Sequence, residues 1–133
     1  MPVFRLSETD TTFPDPVWAD PSGLLAVGGD LSVVRLLEAY RLGIFPWYGE
    51  GEPILWWSPN PRCVLFPDEI HISRRLRRTL AQKRFQITCN RAFYQVVSDC
   101  AAVRTEAGEP TWLISGMRTA YGELHRQGYA HSV

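Results

Sequence analysis

The chain of 133 residues is 45% apolar and 21% charged with no net charge, one globular domain's worth of sequence able to bury roughly two-thirds of its unfolded surface rather than a disordered tail. No charged-then-apolar leader opens it, and no apolar run approaches the roughly 18 residues a membrane span needs, so it reads as soluble and cytoplasmic with no membrane partner. Cys63, Cys89 and Cys100 are an odd, widely spaced set without C-x-x-C, which argues against a disulfide framework or a zinc site and predicts buried free thiols.

In chain order, the opening residues through Phe13-Pro14-Asp15-Pro16 read as coil or a short strand with turns. Gly28-Gly29-Asp30 predicts a tight turn with positive φ at a glycine; it is at most a weak phosphate loop, because neither G-x-x-x-x-G-K-[ST] nor G-x-G-x-x-G follows. A helix is predicted from Ser32 as N-cap, with Val33, Leu36, Leu37 and Tyr40 on one face and Gly43 just past its end.

Residues 43–62 then concentrate five aromatics (Phe45, Trp47, Tyr48, Trp56, Trp57) and four prolines (Pro46, Pro53, Pro59, Pro61). Proline fixes φ and removes a donor, so this segment is stiff and cannot run as one long helix or central strand. Stiff backbone bearing large flat side chains suits a site for a planar group, since aromatic faces stack on nucleobases at roughly 1–3 kcal/mol per base. Core packing of the tryptophans is the competing reading.

Residues 54–57 and 63–66 are short strand candidates separated by the turn Ser58-Pro59-Asn60-Pro61. Ser73 caps a short helix of Arg74, Arg75, Leu76, Arg77, Arg78 and Leu80, and Phe85-Gln86-Ile87-Thr88-Cys89 alternates like a half-buried strand. Asn90 is the predicted cap of a helix carrying Phe93, Val96, Val97 and Cys100, followed by a polar loop over 103–110. Thr111-Trp112-Leu113 precede a last helix capped by Ser115, with Met117, Ala120, Tyr121 and Leu124 on one face and Gly128 closing it. Residues 129–133 look like the first residues of a strand, so the sequence reads as the front portion of something longer.

The neutral total hides a partition of −5 over residues 1–61, +6 over 62–91 and −1 over 92–133. The basic block is either a polyanion-binding face or a solvated helix surface. Nucleophile signatures such as G-x-S-x-G are absent, and His71, His125 and His131 have no metal-ligand spacing, so no metal or other cofactor is expected. The residues alone support a binding surface for a nucleotide and its phosphates.

The strings L-L-A-V-G-G-D-L-S, R-L-L-E-A-Y-R-L-G-I-F-P-W-Y, P-I-L-W-W-S-P-N-P-R, H-I-S-R-R-L-R-R, Thr111-Trp112-Leu113-Ile114 and G-Y-A-H-S-V, in that order, resemble the leucyl/phenylalanyl-tRNA–protein transferase family from about Phe13 to Val133. The resemblance implies an α+β fold: a small α/β-type N-terminal domain (1–62) with the aromatic, proline-rich loop, then the beginning of a GNAT-like mixed α/β domain (63–133). It implies an aminoacyltransferase moving Leu or Phe, less readily Met, from aminoacyl-tRNA to the N-terminal Arg or Lys of proteins, which marks them for degradation in the N-degron pathway without ATP or metal. Trp47 and Trp112 match tryptophans lining the pocket for the 3′-terminal adenosine and aminoacyl group. Arg74, Arg75, Arg77, Arg78, Lys83 and Arg84 match the region expected to hold the tRNA acceptor stem, whereas Trp56, Trp57 and Arg62 lean toward structural roles. Family members run on through G-E-S-M-F and D-x-Q segments that carry the amino-acid pocket and the catalytic groups, so those groups are expected beyond Val133 and these 133 residues alone are expected to be inactive. The alternative is a non-catalytic RNA- or nucleotide-binding module using the same surfaces.

Overall fold

The computed structural model describes residues 3–133. Among them four strands and four helices form an α+β fold: β1 (Phe4–Leu6), β2 (Leu24–Gly28), α1 (Val33–Arg41), β3 (Phe45–Pro46), β4 (Leu55–Trp57), α2 (Arg74–Ala81), α3 (Phe93–Glu106) and α4 (Ser115–Arg126), with 3-10 turns at Pro16–Trp18 and Pro67–Glu69. The sheet runs β1-β2-β4-β3, with β1 parallel to β2 and the other pairs antiparallel.

Helix α1 matches its sequence signals at both ends. The Ser32 hydroxyl accepts from the Arg35 N–H, and Gly43 just past the end has φ of 74°. The helix packs against α4 and β3, and Leu25, Ala26, Leu36, Ala39, Ile44, Trp56, Ala120 and Leu124 share one core. Residues 24–28, where the sequence predicts only the closing glycine turn, supply the central strand β2. Trp56 settles on the structural side: it is fully buried, its indole N–H donates to the Gly28 carbonyl at 2.9 Å, and the Phe13 ring meets it edge-on at 4.9 Å.

The Gly28-Gly29 turn has φ of 89° and 74°. Glycine suits the positive φ at Gly29, and a Cβ there would press on the buried Arg35 guanidinium, 3.0 Å from its Cζ. Arg35 is a fully buried cation that donates from Nη2 to the Ser7 carbonyl at 2.6 Å and from Nε to Asp30 at 3.3 Å. Burial alone would raise the Asp30 pKa, but hydrogen bonds from Ser32 and Arg35 and the guanidinium charge outweigh it and hold it below 3.8. A depressed carboxylate contributes stability that is fully present above the unfolded value of 3.8 and is lost as pH falls through the lower folded value. The Asp30→Asn variant is therefore expected to lose part of the parent's stability change below that pH, measured by circular dichroism across an acid titration.

Several expectations are corrected. Residues 63–66 and 85–89 form no strands, and Val64, Leu65, Phe66, Phe85 and Ile87 are exposed. Alternation makes a strand only where a neighbouring edge accepts its hydrogen bonds, and no described strand lies beside either segment. The three thiols are exposed rather than buried, since Cys63 and Cys89 lie on those segments and Cys100 on the outer face of α3. Asn90 does not cap α3. It adopts φ of 58°, and its side chain instead contacts His131 Nδ1 at 2.9 Å and accepts from the Ser132 N–H at 3.1 Å. Residues 129–133 consequently return to the foot of α3 without forming a strand, because a single backbone bond from Asn90 to the Ser132 carbonyl is no ladder. The loop expected over 103–110 is helical through Glu106, because Val103, Arg104, Thr105 and Glu106 all tolerate helix and only Gly108, with φ of 71°, ends it.

Candidate functional site: an aromatic cavity

Trp47 follows β3 immediately and is held by two backbone contacts. Its N–H donates to the Leu55 carbonyl at 3.0 Å, and its carbonyl accepts the Trp57 indole N–H at 2.7 Å. The ring itself is 55% exposed and tilts 60° against Trp57 at 5.9 Å. Trp112 precedes α4, is 38% exposed, and meets Tyr121 of α4 edge-on at 5.8 Å. Both indoles line one cavity of about 300 Å³ together with Tyr40, Phe45, Pro46 and Tyr121. A further cleft of about 480 Å³ also borders Trp47 and Trp112, with Tyr48, Glu52 and Trp57 among its walls. The larger groove of about 720 Å³ against α3 and α4 carries no aromatic side chain and offers no stacking face.

The polar end of the aromatic cavity is a hydroxyl pair: Tyr40 of α1 and Tyr121 of α4 hydrogen-bond through their Oη atoms. Burial first, then the bond with Tyr121, pushes the Tyr40 hydroxyl far above its usual range, and burial also raises Tyr121 against the opposing effect of that bond. Both phenols thus remain protonated at neutral pH and act as hydrogen-bonding groups, not as bases. Whichever hydroxyl donates to the other, the pair keeps one O–H proton beyond the shared bond. Flat apolar walls with one polar corner fit a planar, hydrogen-bonding group.

The composition of residues 43–62 singles out Trp47 and the resemblance adds Trp112, and the fold places both on the same cavity. Tyr40 and Tyr121 appear in the sequence only as members of helical stripes; their meeting across 81 residues is what makes them part of a site. The basic residues lie elsewhere on the chain's surface. Arg74, Arg75, Arg77 and Arg78 are carried by α2, which buries none of its residues, and Lys83 and Arg84 follow it, also exposed. No salt bridge to a described residue engages any of the six. Ser73 caps α2 by accepting from the Leu76 N–H at 3.2 Å, which fixes a short helix with little packing of its own. Of the histidines, His125 stacks on Phe93 at 3.9 Å and bonds the Ala130 carbonyl at 2.8 Å, while His71 is exposed.

Comparison with known proteins places these features. The leucyl/phenylalanyl-tRNA protein transferase sequence profile matches residues 64–133, more than half of the chain, and the profile of that transferase's N-terminal domain matches residues 29–60. The chain belongs to the leucyl/phenylalanyl-tRNA–protein transferase family. Proteins carrying that transferase name are 59% identical over all 133 residues in Desulfatibacillum aliphaticivorans and in Syntrophobacter fumaroxidans, and 56% identical over 130 residues (96% of this chain) in Pseudomonas aeruginosa. The chain spans 57%, 56% and 57% of the length of those relatives respectively. Within the transferase family match, Tyr40 and Trp47 fall in the N-terminal-domain segment and Trp112 and Tyr121 in the other, so the aromatic cavity forms where the two matched segments meet. Among the described residues no helix is long and apolar enough to cross a membrane.

Proposed function

We propose that the protein acts in the transfer of Leu or Phe, and less readily Met, from aminoacyl-tRNA to the N-terminal Arg or Lys of acceptor proteins, and that the cavity between Trp47 and Trp112 receives the 3′-terminal adenosine. The observation that carries this reading is that two partly exposed indoles, 65 positions apart in the sequence, face one cavity closed by a hydroxyl pair. Such walls stack on a purine while the free O–H addresses its edge or its ribose. In the reaction the acceptor's free α-amine attacks the ester carbonyl, the bond to the ribose oxygen breaks, the amine loses a proton and the ribose hydroxyl regains one. The ester is already activated, so the demand on the protein is to orient the terminal nucleoside and keep it there. The tyrosines, protonated at neutral pH, serve that positioning as hydrogen-bonding groups. The exposed guanidinium groups of α2 are assigned to the sugar-phosphate backbone of the acceptor stem, where contacts fix register without reading sequence. The division into residues 1–62 and a GNAT-like unit opening at 63 belongs to the same reading.

The test is binding of Leu-tRNA and of tRNA trimmed of its terminal adenosine by the 133-residue chain. Intact tRNA is expected to bind more tightly by about tenfold, the value of one good stacking contact. Equal affinity for the two would overturn the adenosine assignment. Replacing Arg75 and Arg78 with Gln is expected to weaken binding to all tRNAs alike and to lower the slope of log affinity against log salt by roughly one per removed contact. On its own the chain is expected to give no transfer of Leu to an Arg-starting peptide.

A further inference from the structure

We propose that Arg62 is the phosphate-binding residue of the aromatic cavity, holding the 5′-phosphate of the nucleotide whose base the cavity stacks; this rests on the nucleoside reading above. Arg62 closes the run W-W-S-P-N-P-R and stands apart from the cationic helix α2. Its side chain is exposed yet doubly anchored. Nη1 donates to the Gly43 carbonyl at 2.7 Å, and the guanidinium carbon sits 4.7 Å from the centroid of the Phe45 ring. Phe45 is itself a wall of the cavity, so the guanidinium stands against a residue that lines it.

The partners of this cation are a neutral carbonyl and a ring, not a carboxylate. Among the described residues no hydrogen bond or ion pair engages Nη2 or Nε. An arginine kept only to clamp a loop gains most from a carboxylate, and the buried Arg35 takes one in Asp30. Arg62 instead retains charge and two unengaged donor nitrogens in one plane, the fork that phosphate oxygens accept. Its rotamer freedom is already reduced by the ring and by the carbonyl, so little ordering remains to be done when an anion arrives. In a nucleotide the phosphate is one sugar removed from the base. A base against Trp47 and Trp112 would leave its phosphate one sugar away, beside Phe45, the ring on which this cation rests.

The experiment compares adenosine with adenosine 5′-monophosphate, titrated into the 133-residue chain and followed by tryptophan fluorescence, for the parent, Arg62→Gln, Arg62→Lys and, as a control at an exposed cation, Arg104→Gln. The parent is expected to bind the monophosphate about tenfold more tightly than adenosine, as a charge-assisted pair gives. Arg62→Gln is expected to erase that preference and leave adenosine affinity within about twofold of the parent. Arg62→Lys keeps part of the preference, since it keeps the charge and loses the fork, and Arg104→Gln keeps it in full. A preference that survives Arg62→Gln overturns the assignment. So does an equal loss of adenosine and monophosphate binding in that variant, which would make Arg62 a support for Phe45 and nothing more. If adenosine fails to bind the parent at all, the nucleoside reading falls first and takes this one with it.

Discussion

Replacing Trp56 with Ala is expected to destabilise the protein by about 3–5 kcal/mol, a large part of the 5–15 kcal/mol that holds an ordinary domain together. Trp56 is fully buried at the centre of the sheet, on a strand flanked on both sides, where it stands opposite Ala26 of β2 and Pro46 of β3. Truncation removes the indole from contact with Phe13 and from a core that also takes in α1 and α4, leaving a void no neighbouring backbone can fill. It also takes away the donor that satisfies the Gly28 carbonyl at 2.9 Å. Urea unfolding measures the effect as a lower midpoint at unchanged slope. Trp56→Phe separates the two contributions: it keeps most of the ring volume and loses the N–H, so its cost should be nearer 1–2 kcal/mol. An alanine variant as stable as the parent would mean that the sheet is not the centre of the fold.

What could be read from the sequence follows the range of the forces involved. Helix α1 is legible residue by residue because Ser32, its apolar stripe and Gly43 act over a few positions. Strands are decided by distant partners. An apolar run at 24–28 becomes the central strand because β1 and β4 flank it, while the better alternating pattern at 85–89 stays unpaired. The adjacent pair Trp56 and Trp57 carries a usable signal. In a strand, neighbours face opposite ways, so one indole had to enter the core and the other had to leave it. Trp57 leaves it, and its N–H steadies the backbone of Trp47. At the site, the composition of residues 43–62 exposes Trp47, and the resemblance adds Trp112. Tyr40 and Tyr121 could not be found in this way, because each sits in an apolar helical stripe that packing alone accounts for.

The other large effect is expected at the cavity and not in the core. Trp47→Ala and Trp112→Ala should each weaken binding of the terminal adenosine by about 1–3 kcal/mol, or roughly 5- to 150-fold. The stability cost should differ in kind from that of Trp56. Trp47 is 55% exposed and its two backbone hydrogen bonds survive truncation, so its removal should cost no more than about 1 kcal/mol. Trp112, at 38% exposed and packed on Tyr121, should cost somewhat more. Because both rings border one cavity, a purine held between them couples the two substitutions, and the double variant should lose less than the sum of the single losses once the first face is gone. Phenylalanine at either position restores a stacking face and should recover much of the affinity. Adenosine titrations set beside urea unfolding for the same five variants decide the matter. Stability losses of several kcal/mol with unchanged nucleoside affinity would return both tryptophans to the core reading, and with it remove the site on which the proposed transfer depends.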